Sequence, residues 1–287
     1  MKHIALCPNP TRDHDLALTV EVKRRLEAHG VLVSICPLFY FIPEPELPPE
    51  LEQTELEQAL QTAELIICMG GDGTILHMAQ PAARRGIPIL TVNLGRKGFI
   101  AEVEAKDIDE LIRIAVSGPY KIQERMMLDV GVERGGKVVY QELALNDAVI
   151  VGIARMIDIA VFGDGQMISS FSGDGIIVCT PTGSTAYSMA AGGPIVEPSA
   201  ENITITPICA HALIAKPFVL APERKVTVNV SNLEGKLAYL AVDGGSYSLR
   251  NGDVITICKS NYRTKLVKAS NKSFYEIVNE KLNNERS

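Results

Sequence analysis

The spacing of apolar residues in this chain changes character near residue 120, and that change limits the folds open to it. Before it, strand-like and helix-like stretches alternate. Residues 4–7 read as a short apolar strand. Residues 13–29 carry Leu18, Val22 and Leu26 on one helical face and stop at Gly30, and residues 31–36 return to strand. Residues 51–63 are helical by composition, 64–69 form a buried strand that runs into glycines, 74–85 read as a helix with a kink at Pro81, and 87–93 are strand again. Prolines 37, 43, 45, 48 and 49 exclude regular structure between the second strand and the helix that follows. Such alternation predicts a doubly wound parallel sheet, with ligands at the carboxyl ends of its strands.

From residue 121 onward the runs are short and β-patterned, at 127–132, 137–143, 158–162, 175–179, 203–206, 226–230, 237–242 and 254–258. Turn signals such as Gly135-Gly136 and Asp164-Gly165 separate them. The expected fold is therefore α/β plus all-β. It has an N-terminal doubly wound α/β domain over residues 1–120 and a mostly antiparallel, sandwich-like β domain over 121–270. A polar helical tail over 271–287 is expected to pack back on the first domain.

Composition removes several function classes. With 46% hydrophobic and 22% charged residues the chain can bury a sizeable core, so disorder is excluded. The formal net charge of −6 argues against a dominant nucleic-acid or anionic-membrane surface. No apolar stretch approaches the roughly 18 residues of a membrane span, and the opening apolar run is too short for a secretion signal. A soluble, cytoplasmic protein is expected. Cys7, Cys36, Cys68, Cys179, Cys209 and Cys258 are dispersed with no C-x-x-C pair, and the five histidines form no H-x-x-x-H pair. They read as buried thiols in a reducing compartment, and no protein-held transition metal is expected.

Four local features could carry chemistry. Gly70-Gly71-Asp72-Gly73-Thr74 joins a buried strand to a helix. Its glycines let the backbone approach a ligand closely, and its N–H groups with the helix N-terminus suit phosphate. Asp72 would repel phosphate unless a cation intervenes or the carboxylate meets a hydroxyl, which points to phosphoryl transfer with an aspartate as proton acceptor. The plainer alternative is a strand-to-helix turn with Asp72 as the helix N-cap. The loop is neither G-x-x-x-x-G-K-[ST] nor G-x-G-x-x-G. Second, Asp174-Gly175 leads through a strand into Thr180-Pro181-Thr182-Gly183-Ser184-Thr185-Ala186-Tyr187-Ser188, a hydroxyl-rich junction able to bond ribose hydroxyls or an adenine edge. Third, Asn146-Asp147 pairs an amide with a carboxylate, or is an ordinary turn. Fourth, Asn93-Leu94-Gly95-Arg96-Lys97-Gly98-Phe99 offers two cations at a strand end, or is a solvated basic turn.

Taken together and in this order, G-G-D-G-T, N-x-G-x-x-G-F, N-[ED], D-G and T-P-T-G-S-T-A-Y resemble the ATP-dependent NAD kinases, particularly bacterial ones, over residues 64–245. The segment 207–219, with His211 and Pro217, resembles the family's P-x-x-x-H-x-L-x-x-R-P. The resemblance implies transfer of the ATP γ-phosphoryl group to the 2′-hydroxyl of the adenosine ribose of NAD, giving NADP, with Mg²⁺ or another divalent cation accompanying ATP. It implies that Asp72 is the catalytic proton acceptor with Gly73 beside it. Asn146 and Asp147 would contact adenosine, and Asp174 would reach the nicotinamide side, often that of a neighbouring subunit's substrate. Thr185, Ala186, Tyr187, Ser188, Met189 and Ala190 would line the same pocket, with Thr182, Phe99 and Arg155 as further contacts. A homodimer or homotetramer is implied. Ser172 stands where many members have arginine, Lys216 replaces another arginine, and Asp147 is one methylene shorter than the commoner glutamate. Two rivals remain: a diacylglycerol-type lipid kinase, which would share the acidic glycine loop, and a non-catalytic NADP-sensing module, which would have no use for Asp72.

Overall fold

The computed structural model describes residues 1–37, 47–95, 98–100, 103–211, 215–270 and 272–284. Prolines 43 and 45, Arg96 and Lys97, and residues 212–214 of the P-x-x-x-H segment lie outside the described residues. The chain divides into two compact units, Met1–Glu124 with Thr264–Ser287, and Arg125–Arg263.

The first unit opens with β1 (His3–Pro8), α1 (Ala17–Ala28), β2 (Leu32–Ile35), α2 (Leu56–Gln61), β3 (Leu65–Gly70), α3 (Asp72–Arg85), β4 (Ile89–Asn93), β5 (Val103–Glu104) and α4 (Ile108–Ser117). Its parallel strands run in the order β2-β1-β3-β4, with β5 beside β4. β1 and β3 are buried at every position, which is why they read as unbroken apolar runs rather than alternating ones. In α1, Val22 and Leu26 are fully buried while Leu18 is only partly so. The buried Asp13 carboxylate starts this helix by accepting the N–H groups of Leu18 at 3.0 Å and Thr19 at 2.9 Å. α3 continues past Pro81 as one helix and ends at Gly86, whose φ of 68° glycine adopts without strain. Helix residues such as Leu26, Leu111 and Ile112 close a core against Ile4, Leu6, Leu65 and Ile67.

The second unit contains β6 (Ile122–Arg134), β7 (Lys137–Ala144), β8 (Asp147–Ile153), β9 (Ile157–Gly163), β10 (Gln166–Gly173), β11 (Gly175–Cys179), the one-turn α5 (Tyr187–Ala190), β12 (Ile203–Ile208), β13 (Phe218–Leu220), β14 (Val226–Ser231), β15 (Leu237–Val242) and β16 (Gly245–Ser248), apart from the first residues of β6. β17 (Val254–Val267) gives residues 254–263 to this unit and 264–267 to the first, where Leu266 pairs with Ile89 of β4. The chain thus returns to the first unit at Thr264, earlier than the sequence suggests, because one continuous strand carries the crossing. The last element is α6 (Phe274–Asn284).

One sheet of the second unit runs β13-β12-β11-β8-β15-β16, antiparallel at every pairing. The other is built from antiparallel pairs β10-β9, β9-β14, β14-β17 and β6-β7. Inward side chains of both sheets, including Ile150, Ile176 and Leu240 from one and Val130, Val161 and Ile255 from the other, form a single core. The two-residue Asp164-Gly165 and Asp243-Gly244 turns have positive φ at both positions, the I′ geometry that matches strand twist.

Candidate functional site

In the first unit the order of strands reverses direction between β1 and β3, and ligands of open α/β sheets bind outside the carboxyl ends at such a point. The loops leaving those two strands meet there. Asn9, just after β1, donates from Nδ2 to Oγ1 of Thr74 in the first turn of α3 at 3.0 Å. A Cβ on Gly70 would lie 2.2 Å from that same oxygen, so only glycine fits. Gly71 and Gly73 differ: a Cβ on either meets nothing within 4 Å, so the fold itself does not demand glycine there. Gly71 is the N-cap residue of α3 and makes no side-chain cap.

Asp72 begins α3, yet its carboxylate is spent elsewhere. Oδ2 accepts the N–H of Phe99 at 2.8 Å and Oδ1 that of Ile100 at 3.3 Å. The plain N-cap reading of Asp72 is therefore replaced by a carboxylate anchored to the loop after β4. Gly98 makes the approach possible, because a Cβ there would stand 2.0 Å from Asp72 Oδ1. The Phe99 ring in turn carries Lys281 of α6, whose Nζ is 4.1 Å from the ring centroid. On the same loop, a Cβ at Gly95 would be 3.2 Å from the Arg12 guanidinium, which brings a cation beside the glycine-rich segment. Asn9 and Arg12 were not singled out from sequence. The rule that ligands gather at strand carboxyl ends, applied to Pro8-Asn9-Pro10-Thr11-Arg12, could have found them.

In the second unit, Asn146 and Asp147 stand at the start of β8 and are 8% and 7% exposed. The turn reading of this pair gives way to a strand entry, since Asp147 already pairs with Cys179 of β11. Asn146 Oδ1 is buried with no hydrogen-bond partner, a costly arrangement unless a ligand donates to it. The backbone around the pair is held by Asp243, which the sequence reading passed over. Its carboxylate accepts the N–H groups of Leu145 at 2.6 Å, Asn146 at 2.9 Å and Asp147 at 3.1 Å. Burial pushes the Asp147 carboxyl up to about 7, with the neighbouring Asp243 charge adding to the rise. Burial raises Asp243 less, to about 6, because those three N–H groups favour its ionised form.

The hydroxyl-rich junction packs directly against this pair. Thr180 donates to the Leu145 carbonyl at 2.6 Å, and a Cβ on Gly183 would be 2.1 Å from the Asn146 carbonyl, so glycine is compulsory there. Thr185 bonds the Thr182 carbonyl at 3.1 Å, and Thr182 is buried. Ser188 is fully buried with its hydroxyl shared with Thr206 at 2.8 Å, so that hydroxyl supports α5. Ala186, Met189 and Ala190 are at least partly exposed, and Tyr187 is 46% exposed. Tyr187, Arg155, Asp174 and Ser172 line one cavity of about 890 Å³ with Asp158 and Lys236. Ser172, the residue in place of an arginine, donates to Asp158. Asp174 bridges β10 and β11 and is exposed.

An acidic glycine loop at the switch point of a parallel sheet, and a buried, unpartnered amide oxygen next to a hydroxyl-rich junction on a β-sandwich, are the equipment of a nucleotide-handling protein. Comparison with known proteins narrows this. Residues 4–120 match the ATP-NAD kinase N-terminal domain and residues 145–269 the ATP-NAD kinase C-terminal domain. An NAD kinase of Acetivibrio thermocellus is 34% identical over 98% of this chain and 97% of its own length. One of Desulforamulus reducens is 43% identical over 79% and 81%. The chain belongs to the ATP-NAD kinase family. Among solved structures, an NAD kinase from Archaeoglobus fulgidus in complex with ATP superposes with a TM-score of 0.75 at 26% identity, covering 99% of each chain. Yeast NADH kinase complexed with NADH shares the fold, with a TM-score of 0.83 at 24% identity over 100% of this chain and 89% of that one.

Proposed function

We propose that this protein transfers the γ-phosphoryl group of ATP to the 2′-hydroxyl of the adenosine ribose of NAD, forming NADP and ADP. Family membership supports the reaction class, and one observation carries the assignment of the acceptor. The Asp72 carboxylate is oriented by the Phe99 and Ile100 N–H groups instead of capping its own helix, and it keeps lone pairs free for a sugar hydroxyl. Asp72 orients that hydroxyl and takes its proton late, as the new O–P bond forms and the bond to the ADP oxygen breaks. Gly71 and Gly73 let the phosphates and ribose approach the backbone, and the N-terminus of α3 favours their charge.

Asn146 Oδ1 accepts from the adenine amino group and Asp147 accepts from adenosine hydroxyls. Thr182, Thr185, Ala186 and Tyr187 wall the same nucleoside, with Met189 and Ala190 continuing that wall and Ser188 supporting it. Asp174 and Arg155 belong to the nicotinamide side, and Phe99 supports Asp72. Among the described residues no three acidic, histidine or cysteine side chains gather as a metal cage. That fits Mg²⁺ held mainly by the ATP phosphates with few protein ligands. When bound with ATP, Mg²⁺ neutralises phosphate charge. A cytoplasmic homodimer or homotetramer completes the reading.

The test is incubation with NAD, ATP and Mg²⁺, read by an NADP-specific dehydrogenase. Appearance of NADP supports the proposal. Phosphorylation of diacylglycerol instead, or tight NADP binding with no ATP-dependent product, would replace it with one of the two rivals.

A further inference from the structure

The hairpin between β15 and β16 places a carboxylate where the reaction chemistry has no direct use for it. Asp243 occupies the first position of the two-residue Asp243-Gly244 turn, at φ 45°, followed by Gly244 at φ 94°. From there both its oxygens point back under the start of β8 and accept three consecutive backbone N–H groups, those of Leu145, Asn146 and Asp147. The Asp243 N–H closes the ring on the Asp147 carbonyl at 3.2 Å. This is the segment that presents the unpartnered Asn146 Oδ1 and the buried Asp147 carboxylate. Gly183 is packed against the Asn146 backbone of the same segment, where no side chain fits.

We infer that Asp243 is a positioning residue for the dinucleotide: its carboxylate locks the Leu145-Asn146-Asp147 backbone and so aims the Asn146 amide and the Asp147 carboxylate at adenosine. The inference rests on the NAD-phosphorylating reading above. Hydrogen bonds from neutral N–H groups to an ionised acceptor are the strong kind, and three of them on adjacent residues leave the segment little freedom to tilt. A buried carboxylate next to a second one, Asp147, is also an expensive way to make a turn. Uncharged Asn-Gly or Gly-Gly serves an I′ hairpin as well, so the charge is retained for something besides the turn.

That equivalence supplies the experiment. Asp243→Asn preserves the turn and one acceptor oxygen but turns an amide towards the Leu145 N–H. Asp243→Gly preserves the turn and removes the acceptor altogether. With Asp243→Asn, KM for NAD should rise about 10-fold, and with Asp243→Gly about 100-fold. In both, kcat should change by less than about 3-fold and KM for ATP should hold, the loss being one or more charge-assisted hydrogen bonds that orient the ground-state contacts. The Asp147→Asn/Asp243→Asn double variant should be no worse towards NAD than the poorer single one, because one residue acts through the other.

A second readout separates positioning from bulk stability. Among the described residues, the titratable groups facing Asp147 are Asp243 from the hairpin and Cys179 from β11. Removing the Asp243 charge should therefore lower the pH midpoint of the NAD dependence. An Asp243→Gly enzyme with wild-type KM for NAD would overturn the inference. So would kcat and both KM values worsening in step with the fraction unfolded, or both variants failing to fold, since Asp243 would then serve the fold alone. Absence of NADP formation by the unaltered protein would instead remove the underlying reading.

Discussion

In the proposed reaction Asp72 is the residue on which the chemistry turns, and its isosteric replacement is the sharpest probe. Asp72→Asn keeps an oxygen for one of the Phe99 and Ile100 N–H groups and loses the proton acceptor. Turnover should fall by about 10²- to 10⁴-fold while calorimetry still registers NAD binding. A second residue-scale prediction concerns pH. In the proposed reading Asp147 accepts from a ribose hydroxyl and must be ionised to do so, and burial raises its carboxyl from 3.8 to about 7. KM for NAD should therefore fall as pH rises through about 7, and Asp147→Asn should remove that dependence. Stability runs the opposite way. The folded chain holds this proton more tightly than the unfolded chain, so the contribution is complete below 3.8 and is lost as pH climbs through about 7. Melting temperatures across that range, compared with Asp147→Asn, check the sign. Tyr187→Ala should raise KM for NAD more than KM for ATP, because an aromatic ring 46% exposed on the cavity wall offers its face to a substrate. Equal changes in the two constants would argue against that role.

At the scale of elements, the two kinds of glycine around Asp72 separate folding from function. Gly98→Ala puts a methyl 2.0 Å from Asp72 Oδ1. It should displace either the loop or the carboxylate and cost about 10²-fold in kcat, as small misplacements of reacting groups do. Gly73→Ala meets no protein atom and lies in the first turn of α3. Its melting temperature should hold or rise while activity drops, because the methyl intrudes only on a bound substrate. The glycine-rich string itself was legible in the sequence, and so was the strand-to-helix junction that carries it. What was not legible is which backbone groups the carboxylate would meet. Phe99 and Ile100 are remote from Asp72 in sequence, and nothing in their local pattern shows two loops converging. Asp243 was hidden for a similar reason. Asp-Gly before a strand announces a hairpin, and only the register of β15 on β8 reveals that the turn lies beneath Asn146 and Asp147.

At the scale of the whole molecule, the two classes of apolar spacing correspond to two separate cores, a helix-covered parallel sheet and an antiparallel sandwich. Those patterns were readable because a parallel strand buried on both faces and a sandwich strand buried on one leave different signatures. The return of the chain through β17 was not readable, since a strand that changes neighbours keeps the same alternation throughout. Treatment with EDTA should abolish NADP formation yet leave the melting temperature unchanged, as no metal cage among the described residues supports either core; a large drop would point to a structural ion.

The discontinuity of the first unit bears on how the polypeptide matures. Residues 1–124 are translated before residues 264–287, yet both belong to one unit, which includes the Leu266 pairing beside β4 and the Lys281 contact on Phe99. On the ribosome the contiguous middle of the chain can mature as a whole, while the earlier portion waits for residues 264–287 to emerge. Folding should then depart from the usual vectorial order, and the loop after β4 that binds the Asp72 carboxylate gains its full support only once Lys281 has emerged.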